Sequence, residues 1–586
     1  MINASMKLLV FCFLSTVVTS SLAQISDTLS NCRPVLKRTK CTGFNSRQSF
    51  RTVDGSCNNL KNPTQGAANT PLKRLLGADY VDLLNLDTPR GFPGTKPVVS
   101  TPHEVAGAVF SAHIENVQRA RGLSSMFMAF GQFVDHDVGL TLHPSCDVSA
   151  GCGSSSAFEY PCFPIKFTNS GSSCTAFARS IPVCQTTKKR TVREQINVLS
   201  SYLDASQVYS NDKTIFKSLR TLDGTGQMKV TTDQLLPISV PASSPSCNNP
   251  AGCSLVGDER GDENIALYSV HTLFVRNHNL LAKGLQQRNR RWSGNKIFET
   301  ARKINIAIIQ HIIYSEFVPE LTTLKRYSNY DRKTDASILN VFSTAVFRFG
   351  HSLIPNAWAL LDKNFNKAFE PVSLQASFFN TAPVRQHGIE PVMFGLLQNQ
   401  SQLVDTRFAF GIARRLFVPV GEIKHEDLTA LNIQRGRDHG LPTYGAWRKE
   451  CKLKKLNSWK DLRGVMPASV RIGLKKIYKH PNDIDLFAAG IAEKHVGGKV
   501  LGATFQCILK TQFERLREGD RLYYERKGVF TNAQRNEIRK MSLAKVLCDN
   551  LKGVVSMQSK AFRAFTPRTR RRECSSIPGL NLDVWA

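Results

Sequence analysis

Acidic side chains are in short supply. The 586 residues include 46 Asp and Glu against 77 Lys and Arg, a formal charge of +31. A field of that sign leaves little to attract cationic partners and favours polyanions: acidic polysaccharide, microbial envelopes or matrix. Long apolar runs are missing too. Beyond the first 23 residues nothing approaches the roughly 20 apolar residues that span a bilayer, so no membrane span is predicted. The chain has no internal repeat and no low-complexity linker, which argues against repeat architectures. Period-two alternation is scarce, which argues against a sheet-dominated fold.

Residues 1–23 read as a secretory leader. Lys7 supplies the n-region charge, Leu8 to Val18 the apolar stretch, and Ser20 to Ala23 the small residues before cleavage ahead of Gln24. Cysteine is plentiful, at 15 residues, and removing Cys12 with the leader leaves fourteen. An even number suits disulfides in an oxidising compartment. A secreted, extracellular protein is therefore expected, which makes nucleic acid the least expected partner. Asn399-Gln400-Ser401 is an N-glycosylation sequon. The densest basic run, Arg568-Thr569-Arg570-Arg571-Arg572, reads as a solvated tail.

Helical spacing appears at Ser124 to Val138, at Leu267 to Lys283, and at Ala301 to Leu321, where isoleucines recur at 304, 308, 309, 312 and 313 and Pro319 lies near the end. A mainly α fold with long loops is predicted. Residues 144–190 form a Ser/Gly/Cys-rich stretch with five cysteines, read as a stapled loop region. The chemically suggestive segments run from 130 to 440 without a linker between them, which predicts one large domain over 24–586.

Five segments carry that chemistry. Phe130 to Asp137 sets His136 between Asp135 and Asp137, and Gln132 shares its helical face one turn away. Ser200 to Ser206 offers oxygen donors at Ser200, Asp204 and Ser206, with the carbonyl of Tyr202 able to join them; Asp137 could complete an oxygen shell suited to Ca²⁺. An ordinary Ser/Asp helix cap explains the same residues. Gly257 to Asn264 holds Arg260 and Glu263, and its Arg260-Gly261-Asp262 also reads as a short adhesion signal. Phe347 to Ile354 holds His351, either a core histidine or a haem axial ligand. Leu431 to Gly440 holds two amides, two arginines, an aspartate and a histidine, too many polar groups for an ordinary core helix.

In this order, FGQFVDHDVGLT, SSYLDASQVY, GDERGDEN, FRFGHSLI and LNIQRGRDHGLP resemble the animal haem peroxidases, the myeloperoxidase and peroxinectin superfamily, from about Cys41 to Cys574. The resemblance implies a single helical haem-peroxidase domain with several disulfides, and an enzyme that reduces hydrogen peroxide at the expense of small donors. It implies His136 as distal acid/base with Gln132 beside it, Arg260 as the distal arginine, and His351 as the iron ligand. It implies Asn432 as the acceptor of the other His351 ring N–H, and Arg435 at a haem propionate. Asp135 and Glu263 match carboxylates that ester-link haem b, and Asp137, Ser200, Tyr202, Asp204 and Ser206 match a Ca²⁺ site. The implied disulfides are Cys41–Cys57, Cys146–Cys162, Cys152–Cys174, Cys247–Cys253, Cys451–Cys507 and Cys548–Cys574. Cys32 and Cys184 are left over, to pair with each other or to link two subunits.

Two positions depart from the pattern. Asn264 stands where myeloperoxidase has a haem-linking methionine, implying a lower potential and poor chloride oxidation. Bromide, iodide, thiocyanate, phenols and catechols become the expected donors. Ser200 stands for threonine and keeps the hydroxyl. The short form is similar to secreted arthropod peroxidases, including salivary catechol oxidases. Two other functions stay open: a peroxinectin-like adhesion protein binding cells or anionic surfaces, and a fatty-acid dioxygenase. The latter needs a tyrosine near the proximal histidine, where this chain has Phe347 and Phe349.

Overall fold

The computed structural model describes residues 32–586 apart from 38–40, 42–49, 83–85, 97–98, 115–118, 147, 149–151, 153–154, 168–172, 185–190, 243, 245–246, 423–424 and 567–569. The leader at 1–23 lies outside the described residues, as do Arg568 and Thr569 of the basic run. The fold is mainly helical. Among the described residues, β structure amounts to two-stranded pairings, such as Arg407–Ala409 parallel to Ser111–His113. No helix among them is long and apolar enough to cross a membrane.

Helix α1, Ser125–Val138, is buried on nearly every side, with Met126, Phe127, Phe130, Phe133 and Val134 packed inward. A helix that is apolar almost all round belongs inside a core, so its few polar residues must face a cavity or partners. Helix α2, Ile265–Arg288, starts where the Asn264 side chain accepts the Leu267 N–H at 2.9 Å, a side-chain N-cap. Phe133 of α1 stacks on Phe274 of α2 with centroids 5.0 Å apart, an aromatic pair worth about 0.5–1.5 kcal/mol beyond its burial. Helix α3, Gly294–Ile312, packs on α2, and Asn277 donates to Asn305 across the seam at 2.8 Å.

The helix expected over Ala301 to Leu321 is not uniform. After α3 the chain widens into a π-helical turn, Ile313–Phe317, before one α turn, Val318–Leu321. Pro319 accounts for this, since proline offers no N–H and its ring crowds the carbonyl four residues back. Helix α4, Leu428–Asp438, is capped by the Asp427 carboxylate, and helix α5, Ala503–Glu518, follows later.

All six disulfides implied by the resemblance are present. Cys32 bonds to Cys184, which corrects the expectation of a subunit link through either thiol: each is consumed within the chain. The adhesion reading of Arg260-Gly261-Asp262 is also corrected. Gly261 and Asp262 are buried, and Asp262 accepts from Ser254 N at 2.8 Å and Asn249 Nδ2 at 3.2 Å. The basic run is only partly a solvated tail. Arg571 lies 3.6 Å over the ring of Phe365 and 4.2 Å over that of Phe565, while Arg570 is exposed. Asn399 of the sequon is exposed.

One glycine holds the site segments together. A Cβ at Gly257 would lie 2.6 Å from the backbone carbon of Val208 and 2.7 Å from the carbonyl oxygens of Ser206 and Gln207. Only a residue without Cβ lets the segment leading to Arg260 rest on the Ser200–Ser206 loop. Gly257→Ala is expected to destabilise the protein by about 1–3 kcal/mol through overpacking, read as a lower midpoint in chemical denaturation with disulfides intact. An unchanged midpoint would contradict this close approach.

Candidate active site

A cavity of about 420 Å³ is lined by Gln132, Asp135 and His136 from α1, by Arg260, Glu263 and Asn264 from the turn before α2, by Arg348 and His351 from the 3-10 turn Phe347–Leu353, and by Arg435 from α4. Four of the five segments singled out in the sequence therefore meet at one place. The fifth, Ser200–Ser206, sits behind α1.

His136 is almost fully buried, and its Nδ1 has no hydrogen-bond partner among the described residues. Nδ1 lies 3.9 Å from Asp258 Oδ1, which leaves Nε2 as the ring nitrogen available to the cavity. Burial first, and then the nearby Arg260 cation, push the imidazole well below its ordinary pKa, so it is neutral at physiological pH.

Arg260 is held by a residue that sequence reading missed. Its Nε and Nη2 meet the two carboxylate oxygens of Asp258 at 2.8 and 2.7 Å, and Nη1 donates to Gly139 O at 3.2 Å. Asp258 is buried, yet Arg260 keeps its carboxyl low, at about 2. It also caps the turn by accepting from Arg260 N at 2.9 Å. A signal was present, an aspartate two residues before the arginine, but the pairing arises because Asp258 is the N-cap of the turn that carries Arg260.

Glu263 accepts from Gln132 Nε2 at 3.0 Å, and Gln132 Oε1 accepts from Asn264 Nδ2 at 3.1 Å. Burial pushes Glu263 from its ordinary 4.5 up to about 7 and Asp135 from 3.8 up to about 6, with Arg260 opposing both shifts. Both carboxyls border one cavity and carry less charge near neutral pH than they would in water.

On the other side, Asn432 Nδ2 faces His351 Nδ1 at 2.9 Å, while Asn432 Oδ1 accepts from Arg348 Nη1 at 2.7 Å. The expected contact between Asn432 and His351 is present, with the amide nitrogen facing the ring. Arg348, which sequence reading did not single out, shares the amide through its oxygen. Arg435 is anchored through Nη1 to Asp438 Oδ2 at 3.0 Å and Ala178 O at 2.9 Å, with its guanidinium 4.0 Å from the Phe177 ring centroid.

Behind α1, Asp137 and Asp204 are both buried. Asp137 accepts from Ser206 N at 2.7 Å and Ala205 N at 3.2 Å; Ser200 Oγ donates to Asp204 Oδ2 at 2.7 Å. Burial, and then the charge of Asp204, push the Asp137 carboxyl well above its ordinary range, and Asp204 Oδ1 has no partner among the described residues. Two buried carboxylates that repel each other, one with an orphaned oxygen, fit a bound cation. With serine hydroxyls and the Tyr202 carbonyl nearby, the donor set is all oxygen, suited to a hard ion. Ala205 sits in the left-handed region at φ 57°, strain that such a site can hold in place.

The family model for animal haem peroxidase matches residues 50–562. The chain is 36% identical to the human peroxidasin homolog over 95% of its own length, and it spans 40% of that relative. It is 36% identical to golden hamster (Mesocricetus auratus) lactoperoxidase over 92% of its length, covering 80% of that protein. Among solved structures, peroxidase A of Dictyostelium discoideum superposes with a TM-score of 0.75 at 28% identity, covering 88% of this chain and 100% of that one. A fatty acid alpha-dioxygenase of Oryza sativa superposes with a TM-score of 0.71 at 17% identity, over 91% of this chain and 89% of that one; at that identity the likeness shows the fold alone.

The raised carboxyls predict a pH dependence of the haem-free protein. Because both pKa values are higher in the folded state, folding takes up protons between the ordinary and raised values. The stabilisation from these groups is fully present below about pH 4 and is lost as pH rises towards about 7. The difference in unfolding free energy between the wild type and an Asp135→Asn/Glu263→Gln double variant should therefore shift against the wild type between pH 4 and pH 7.5. A flat difference in denaturant titrations would contradict the raised values.

Proposed function

This chain belongs to the animal haem peroxidase family, and we propose that it is a secreted haem peroxidase, using hydrogen peroxide to oxidise small donors. The observation that carries the reading is the cavity in which a neutral, buried His136 stands beside an Arg260 fixed by Asp258, with His351 bordering the same space. We read residues 24–586 as one catalytic domain behind a cleaved leader, with N-glycosylation at Asn399.

The residues fit haem b. His351 would ligate the iron, Arg435 would meet a propionate, and the protonated carboxyls of Asp135 and Glu263 would form ester links. Haem supplies the redox centre at which peroxide is reduced. Ligation through Nε2 of His351 requires the proton on Nδ1, which then needs an acceptor; the Asn432 amide supplies it by turning its oxygen from Arg348 to His351.

The acid–base work falls to this chain's own side chains. Neutral His136 takes a proton from one peroxide oxygen and returns it to the other as the O–O bond breaks, a role suited to a group poised below neutrality. Arg260 stabilises charge on the departing oxygen, and Asp258 fixes it there beforehand, so little reorganisation is needed. Gln132, held between Glu263 and Asn264, completes the wall that orients peroxide. Ca²⁺ bound by Asp137, Ser200, Tyr202, Asp204 and Ser206 would hold α1, and with it His136, in register.

Small donors follow from the site. Asn264 is spent as a helix cap and on Gln132, and it cannot form a third haem link. We assign iodide, bromide, thiocyanate, phenols and catechols, with catecholamines among them, as donors in preference to chloride. The cavity lining contains no tyrosine among the described residues, which weighs against the dioxygenase reading. The strong positive charge supports attachment to anionic surfaces or matrix as a secondary property, independent of Arg260-Gly261-Asp262.

In turnover assays with peroxide and iodide or catechol, His136→Leu is expected to lose about 10²–10⁴-fold in rate, the usual worth of a positioned acid/base. His351→Ala should fail to retain haem. Chloride should be oxidised poorly. Unchanged turnover in His136→Leu, or strong chloride oxidation, would overturn the corresponding part. Removing Ca²⁺ with a chelator should slow the reaction with peroxide and lower the unfolding midpoint while the haem stays bound; a protein indifferent to chelation would contradict the cation site.

A further inference from the structure

Four of the chain's 12 tyrosines gather on one side of the fold, although they come from distant parts of the sequence. Tyr314 lies in the π-helical turn, Tyr327 in the loop after it, and Tyr523 and Tyr524 just beyond α5. The Tyr314 and Tyr523 centroids are 5.3 Å apart, Tyr327 and Tyr523 4.9 Å, and Tyr523 and Tyr524 5.1 Å. This cluster connects to the cavity. Tyr314 is 6.2 Å from Phe513, and Phe513 is 5.9 Å from Phe347, which lines the cavity beside His351. Tyr314 also lies three residues from Phe317, another lining residue.

Only one of the four phenols faces a base. Tyr314 donates to the backbone carbonyl of Phe513 at 2.9 Å, and the Tyr327 hydroxyl is buried without a partner among the described residues. Neither can release a proton. The Tyr524 hydroxyl, in contrast, lies 2.8 Å from His311 Nδ1. The backbone carbonyl of Arg539 favours a proton on this imidazole. With Nδ1 turned to the phenol, that proton belongs on Nε2, so Nδ1 offers its lone pair. Burial pushes His311 below its ordinary pKa, leaving it neutral and able to accept. Glu525 is a second acceptor beside the Tyr524 hydroxyl, and its carboxylate also receives the Arg539 guanidinium, with Nε 2.8 Å from Oε1.

We propose that Tyr524 and His311 form a redox-active pair at the end of an aromatic route from the cavity, and that Tyr524 holds an oxidising equivalent when no donor is present. The proposal rests on the peroxidase reading, which supplies the oxidant. In the step, one electron passes from the Tyr524 phenol through Tyr523, Tyr314 and Phe513 to the peroxide-oxidised haem, which is reduced by one electron. The phenol O–H bond breaks, and its proton crosses to Nδ1 of His311. A neutral tyrosyl radical and an imidazolium result. An external one-electron donor later reduces the radical, and the proton returns to the phenol oxygen.

The test is freeze-quenched electron paramagnetic resonance of the haem-loaded protein, mixed with stoichiometric peroxide and no donor, with the Soret band followed in parallel. The wild type should give a tyrosyl signal whose g-values report a hydrogen bond to the radical oxygen. Tyr524→Phe should lose that signal several-fold while its Soret change on peroxide stays the same. His311→Gln, which can hydrogen-bond but cannot take up the proton, should lose the signal as well. A normal Soret change with no tyrosyl radical, or a radical unchanged in Tyr524→Phe, would overturn this inference and leave the peroxidase reading intact. No Soret change in the wild type would overturn both.

Discussion

The site depends on one buried ion pair. Arg260 must present a guanidinium to a cavity that is largely out of water, and a lone buried cation there would be costly. Asp258 removes that cost with two charge-assisted hydrogen bonds at 2.7 and 2.8 Å. Breaking such a pair by removing one partner typically costs about 3–5 kcal/mol, because the other charge is left uncompensated. The geometry is local, since Asp258 also caps the turn that carries Arg260. That turn is in turn fixed by Gly257, which rests on the Ser206–Val208 backbone. A single short segment therefore joins the arginine, the oxygen-rich loop behind α1, and α1 itself.

Around this pair the cavity is electrostatically divided. Burial, and then Arg260, hold the His136 imidazole neutral, while burial holds Asp135 and Glu263 closer to neutral. The same protein environment thus holds a neutral imidazole and two largely neutral carboxyls around one cavity. On the far side, Arg348 and His351 share one amide, that of Asn432.

Much of this was legible in the sequence because helical spacing is rigid. Gln132, Asp135 and His136 fall where a helix puts them, and the three main helical stretches were visible from their apolar periods. What the sequence hid were relations that need three dimensions. Asp258 pairs with Arg260 because it caps the turn that begins at Glu259. Arg348 and His351 meet the two ends of one amide, that of Asn432, across 84 and 81 residues of chain. Cys32 and Cys184, 152 residues apart, meet only once the loops are placed. The Arg260-Gly261-Asp262 tripeptide misleads for the same reason, since a three-residue match says nothing of exposure. Pro319 marked a helix end, but spacing alone does not show that it is preceded by a π-helical turn.

The most direct measurement is the second-order rate at which stoichiometric peroxide shifts the Soret band of the haem-loaded protein, compared between wild type and Asp258→Asn. If the buried pair preorganises Arg260 beside His136, the wild type shifts rapidly and the variant, with haem still bound, is slower by about a hundredfold or more, the scale seen when a preorganised charge-stabilising donor is lost. Equal rates in the two proteins would contradict the account at its centre.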